Sequence, residues 1–165
     1  MEPDVLILDE PFAHLDANTK LRLLNYLQLL QRTRAITLIL VSHDARDLLS
    51  LCENIVVLDS GRLIAKGTPS ELYYSLDDEK IAGLFGIVNK IALNDKSVLF
   101  RADQYQVCTD EINAIPLKFV QGHFMGEYYL SEFCTETKET LFLTDKEPLN
   151  HVNYIQINHS RKDKN

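Results

Sequence analysis

Val5-Leu6-Ile7-Leu8 is an unbroken apolar run that stops abruptly at Asp9-Glu10-Pro11, and no other segment constrains the fold as much. A run without polar alternation suits a strand covered on both faces, as in a parallel sheet flanked by helices. The next residues change period. Through residues 18–32, Leu21, Leu24, Leu27 and Leu30 recur three apart, with Lys20, Arg22, Gln28 and Arg32 between them, a helical stripe. A second apolar run, residues 36–41, leads to Ser42-His43-Asp44 and a short helical stretch over 46–52. Strand, helix, strand, helix in this order predicts an α/β domain with a parallel sheet.

Downstream, Ile55-Val56-Val57-Leu58 and Leu63-Ile64-Ala65 flank Asp59-Ser60-Gly61-Arg62, which reads as a hairpin with glycine in its turn. Thr68-Pro69-Ser70-Glu71 is a helix start: Thr68 as N-cap, Pro69 at the first position and Glu71 closing a capping box. That helix is expected to run to about Leu76, and the acidic stretch Asp77-Asp78-Glu79 to mark the edge of a first domain, 1–82. Beyond it lie short β-prone segments at 87–91, 97–101, 117–120, 127–133, 140–143 and 153–157. They predict a small all-β barrel over 83–160, followed by a solvated basic tail over 161–165.

The formal net charge of −7 and pI near 5.2 oppose a nucleic-acid partner, which needs clustered Lys and Arg. Cys52, Cys108 and Cys134 are widely separated and show no Cys-x-x-Cys spacing, arguing against a disulfide scaffold or zinc site and for a reducing, cytoplasmic setting. No basic leader is visible, and no stretch approaches the ~20 apolar residues of a membrane span. Direct membrane insertion is therefore not expected, and any membrane association goes through another protein.

Ligands of open α/β sheets bind beyond the carboxyl ends of the strands. Asp9 and Glu10 stand at such an end, where one acid can hold Mg²⁺ and the other can take a proton from an attacking water. His43 follows the second run and would share that rim, placed to donate to a phosphate oxygen. Each element alone has a plainer reading. An Asp-Glu pair also ends strands as a solvated turn, a histidine at a strand end is often a surface residue, and Asp16 serves as a helix N-cap.

Together, Val5 through Phe12, His14-Leu15-Asp16 and Leu40-Val41-Ser42-His43-Asp44 closely resemble the second half of ATP-binding-cassette (ABC) ATPases. The matching parts are the Walker B strand with its catalytic glutamate, the D-loop and the switch-histidine loop. The resemblance covers about the first 80 residues. It implies that Asp9 binds Mg²⁺ through water, Glu10 polarises the hydrolytic water, Asp16 helps position the opposing site of an ATPase dimer, and His43 contacts the γ-phosphate of ATP. Ala13-His14 departs from the usual D-loop wording, and His14 is read as a bystander. Leu84-Phe85-Gly86, Leu99 through Asp103 and Phe124 through Tyr129 resemble, more distantly, the C-terminal TOBE barrel of importer ATPases. Arg101-Ala102-Asp103 stands where that family usually shows Arg-Pro-Glu.

The resemblance implies a cytoplasmic subunit that dimerises beneath permease subunits, on the inner face of the membrane. The short barrel leans toward the iron(III) type. No Gly-x-x-x-x-Gly-Lys-Ser/Thr occurs in the chain, so the backbone N–H cradle for phosphates is missing, as is the ABC signature. The chain is therefore expected to be part of a longer ATPase, inactive alone, and to expose an apolar strand edge that favours self-association. The rival readings are a non-catalytic interaction or regulatory module, and a soluble ABC protein acting on DNA or ribosomes.

Overall fold

The computed structural model describes residues 3–34, 36–93, 95–109 and 114–158; the basic tail at 161–165 lies outside the described residues. It is strand-rich with few helices, and the chain divides into two compact units, Met1–Tyr73 and Tyr74–Asn165.

In the first unit, β1 (Val5–Asp9) and β2 (Thr37–Val41) pair in parallel, Val5 opposite Thr37 through to Asp9 opposite Val41. Helix α1 (Ala17–Arg34) connects them. Then follow α2 (Ala45–Leu49), the antiparallel pair β3 (Ile55–Asp59) and β4 (Arg62–Gly67), and α3 (Pro69–Tyr74). The core is small: Phe12, Leu27 and Leu51, with Leu6, Leu8, Leu23, Leu24, Leu38 and Leu40 packed against them.

The expectation that β1 and β2 are covered on both faces is corrected here. Side chains alternate across a strand, and one set faces this core while the other is open: Ile7 is 65% exposed and Val41 50%. Among the described residues of this unit no element covers that face. The leucine stripe is likewise narrower than its spacing suggested, because Leu21 points outward at 57% exposure while Leu27 is buried.

Local chemistry explains the turns. Ser60 and Gly61 both take positive φ, 50° and 76°, the pairing a two-residue hairpin needs to match strand twist. Thr68 N donates to Glu71 Oε2 at 2.8 Å and Glu71 N donates to Thr68 Oγ1 at 3.3 Å, the reciprocal box read from the sequence.

The second unit opens with α4 (Glu79–Leu84), which the sequence reading did not find. Its cap is Asp78, whose Oδ1 accepts from Lys80 N and Ile81 N at 2.8 and 3.0 Å, inside the stretch taken for a domain edge. Strands β5 (Val88–Leu93) and β6 (Lys96–Arg101) form a hairpin. They are followed by β7 (Tyr105–Val107), β8 (Ile115–Phe124), β9 (Tyr129–Thr135), β10 (Thr140–Asp145) and β11 (Tyr154–Ile157). These five form an antiparallel sheet in the order β10-β9-β8-β11-β7, curled as a half-barrel. A register shift between Phe119 and Gln121 interrupts β8, and such bulges bend a strand. Phe100, Phe133, Leu141, Leu143 and Ile155 are among the buried residues of this unit's core.

Side chains tie the hairpin to the sheet, Asn89 with two hydrogen bonds. Buried Asn89 of β5 donates through Nδ2 to Phe142 O at 2.8 Å and accepts at Oδ1 from Phe142 N at 2.7 Å. The carboxamide thus replaces a strand backbone at the edge of β10. Asn89→Leu leaves both Phe142 groups without these partners and is expected to destabilise the unit by about 2 kcal/mol, read from urea unfolding; an unchanged midpoint would show that water replaces them.

Candidate functional site

Parallel pairing brings the carboxyl ends of β1 and β2 to one rim. The ladder extends one step further, as Glu10 N donates to Val41 O at 2.8 Å. Glu10 itself has φ 48°, a left-handed backbone that non-glycine residues enter at an energetic cost, so the chain turns sharply where the acids stand. By strand alternation, Asp9 shares the open face with Val5 and Ile7, and its residue is exposed.

Glu10 and His43 meet directly. His43 N donates to Glu10 Oε1 at 2.9 Å, and the ring Nδ1 lies 2.9 Å from the same oxygen. Backbone and ring thus converge on one carboxylate oxygen. The hydrogen bond to Glu10, then its charge, and to a lesser degree Asp44 and Asp47, hold the His43 imidazole above its ordinary pKa. The histidine is otherwise well exposed, at 82% of its side chain.

Asp16 lies apart from this pair. Its Oδ1 accepts from Asn18 N and Thr19 N at 3.0 and 3.1 Å, and its Oδ2 accepts from Thr19 Oγ1 at 2.6 Å. These bonds, first among them those from Thr19, lower its pKa, and they make it the N-cap of α1. The intervening turn uses His14 at φ 62°, with Ala13 N donating to Glu10 O at 3.1 Å. His14 therefore shapes the backbone between Glu10 and Asp16.

Two residues that sequence reasoning missed support the rim. Lys20 of α1 pairs with Asp47 of α2, which is buried, and the ammonium also lies 5.9 Å from the centre of the Phe12 ring. Spacing gave no hint of this pair, because only the fold brings the two helices together. Asp44 caps α2 and holds Arg46 at 3.1 Å, fixing the residue next to His43.

Oxygen donors suit Mg²⁺, which is commonly held by one or two carboxylates together with water and substrate phosphates. Asp9 fits that role. Among the described residues no three His, Cys, Asp or Glu side chains form a metal cage, so an ion here would need ligands from water and phosphate as well.

No family model matches the chain. Curated proteins do. The sulfate/thiosulfate import ATP-binding protein CysA of Mesostigma viride is 37% identical over 100 residues, 61% of this chain and 29% of its own. The spermidine/putrescine import ATP-binding protein PotA of Mycoplasma capricolum is 36% identical over 114 residues, 67% of this chain and 32% of its own. The maltose/maltodextrin import ATP-binding protein MalK of Escherichia coli (strain K12) is 37% identical over 106 residues, 64% and 29% respectively. The chain thus spans 29–32% of the length of these relatives.

Proposed function

We propose that this chain carries the water-activating part of an ATP-hydrolysing site, in the ATP-binding subunit of an import transporter. The observation that carries the reading is the convergence of His43 N and Nδ1 on Glu10 Oε1, on a rim shared with Asp9. The partial relatives, all named as import ATP-binding proteins, supply the class.

With Oε1 held by His43, Glu10 Oε2 is left to accept a proton from water. As that proton moves to the carboxylate, the water oxygen bonds to the terminal phosphorus of ATP and the bond to ADP breaks, releasing phosphate. When the ring swings from Glu10, an imidazole N–H can donate to a phosphate oxygen. Asp9 would hold Mg²⁺ through water, and the ion supplies charge neutralisation on the phosphates. Asp16, rigid as the cap of α1, would face the opposing subunit of a dimer.

The chain's six glycines include no phosphate-binding loop, so turnover requires one from outside these residues. In this reading the subunit works with a second ATPase subunit and permease subunits, which hold it at the cytoplasmic face of the membrane. No helix among the described residues is long and apolar enough to cross a membrane. The relatives' names cover sulfate, polyamines and maltodextrin. The iron(III) assignment rested on barrel length alone and finds no support in them. They also do not favour the non-catalytic module.

Calorimetric titration with Mg-ATP tests this division of the site. The 165-residue chain is expected to bind no tighter than about millimolar, and the full-length protein in the micromolar range. Micromolar binding by the short chain would place a phosphate site within it and overturn the division. A full-length protein that hydrolyses ATP equally well after His43→Ala and Asp9→Asn would overturn the assignments themselves.

A further inference from the structure

We infer that Lys20 and Asp47 are positioning residues for the site proposed above: their ion pair seats the loop that carries His43 on the turn that carries Glu10. The two partners stand at matching places. Lys20 N donates to Asp16 O at 2.9 Å, one turn inside α1, and Asp47 N donates to Asp44 O at 3.1 Å, one turn inside α2. Asp16 and Asp44 cap those helices, Asp16 after the turn that leaves Glu10 and Asp44 directly after His43. One contact therefore joins the helix starts that follow the two halves of the site.

Both sides are stiff enough to pass that contact on. Ser42 Oγ accepts from Asp44 N at 3.1 Å and donates to Asp44 O at 3.4 Å, which folds Ser42-His43-Asp44 round one hydroxyl at the start of α2. On the other side, Ala13 N donates to Glu10 O at 3.1 Å and Leu15 N to Phe12 O at 3.4 Å, a run of tight turns between Glu10 and the cap of α1. The Lys20 ammonium also lies 5.9 Å from the centre of the buried Phe12 ring, within reach of a cation–π contact. A single ammonium thus touches the Glu10 side through Phe12 and the His43 side through Asp47.

The charges are not explained by their own helices. The start of a helix disfavours a cation, so Lys20 gains its place from α2 rather than from α1. Asp47 suits the start of α2 but is 7% exposed, and a carboxylate taken from water needs a partner. The far end of α2 is docked separately: Gln28 Nε2 donates to Ser50 O at 3.1 Å, and Leu51 clusters with Leu27 and Phe12. A five-residue helix does not hold its own direction. With the far end docked, the Lys20–Asp47 pair decides how closely the near end, and His43 N with it, approaches Glu10 Oε1.

The effect on turnover rests on the ATPase reading and the contact itself does not, so the two are tested apart. In the 165-residue chain, amide exchange followed by NMR reads His43 N, which donates to Glu10 Oε1 at 2.9 Å. Lys20→Met is expected to quicken this exchange about tenfold or more, and to leave Thr37 N, bonded to Asp4 O at 2.9 Å, unchanged. Lys20→Arg, which can still pair with Asp47, should restore the original rate. Where Lys20→Met alone does not fold, Lys20→Met with Asp47→Leu removes the link without stranding a charge, and is expected to show the same selective change. In the full-length protein, Lys20→Met should lower kcat about tenfold to a hundredfold, with KM for Mg-ATP within about threefold. Unchanged His43 exchange, equal acceleration at Thr37, or no recovery with arginine would each overturn the inference. A kcat indifferent to Lys20→Met, where Glu10→Gln lowers turnover as expected, would also overturn it and leave the ATPase reading standing. Quickened His43 exchange, where Glu10→Gln leaves turnover unchanged, would uphold the contact and overturn the ATPase reading alone.

Discussion

Glu10→Gln is expected to lower Mg²⁺-dependent ATP turnover by the full-length protein about 10²–10⁴-fold, the range of a lost general base. Glutamine keeps the size and one oxygen, so the 2.9 Å hydrogen bond from His43 N can persist. What disappears is the carboxylate that accepts the proton of water. Nucleotide affinity should stay within about threefold, because the lost interaction belongs to the transition state rather than to the bound substrate. A second readout separates the chemical role from misfolding. His43 is held above its ordinary pKa first by the hydrogen bond to Glu10 and then by its charge. In the original protein the interaction is fully present below the ordinary histidine pKa and fades as pH rises through the raised value. In the Glu10→Gln variant, the His43 titration followed by NMR should move down toward the ordinary histidine value, leaving the other histidines in place. Turnover retained within about threefold would remove Glu10 from the chemistry. A His43 titration that does not move would show that the pair does not form in solution.

How much of this could be read from the residues depends on how far each feature reaches through the chain. The shared rim of Asp9, Glu10 and His43 was legible, because two apolar runs joined by one helix leave parallel strands little choice of direction. The Thr68–Glu71 box was legible because it is closed by neighbours. The left-handed turn at Glu10, and the meeting of two His43 nitrogens on one oxygen, were not. Those depend on side-chain geometry that spacing does not encode. The cover on both faces of β1 was inferred from apolarity alone. Apolarity records what a strand is suited to touch, and the described residues supply only one of the two layers. Helix α4 and strand β7 were missed for a different reason. Six and three residues are too few to display a period, so the cap at Asp78 was the only available signal, and it was taken for a boundary.

Arg101→Ala is expected to destabilise the second unit by about 4 kcal/mol, as buried truncations that also remove hydrogen bonds to a charged group do. Arg101 ends β6 at 2% exposure, with Phe100 and Ala102 buried on either side. Its Nη1 donates to Ala82 O at 2.8 Å, and its backbone N donates to Gln104 Oε1 at 2.8 Å. Ala82 stands near the end of α4, where its carbonyl also accepts from the cap residue Phe85 N at 3.2 Å and a cation is favoured by the helix dipole. The guanidinium thus fastens a helix too short to hold itself onto the β-rich part of this unit. Arg101→Met distinguishes packing from polar attachment, since methionine refills most of the volume but donates nothing. It is expected to cost about 2 kcal/mol, the share of the hydrogen-bonded charge, with Ala82 O keeping its 3.2 Å bond from Phe85 N. Exchange of the α4 amides should quicken before that of β8 and β9, because the lost link is local to the helix. Urea unfolding of both variants decides between the two accounts. A methionine variant as stable as the original would mean that Arg101 acts through its bulk, and that α4 is fastened by its buried Ala82 face and Phe85 instead.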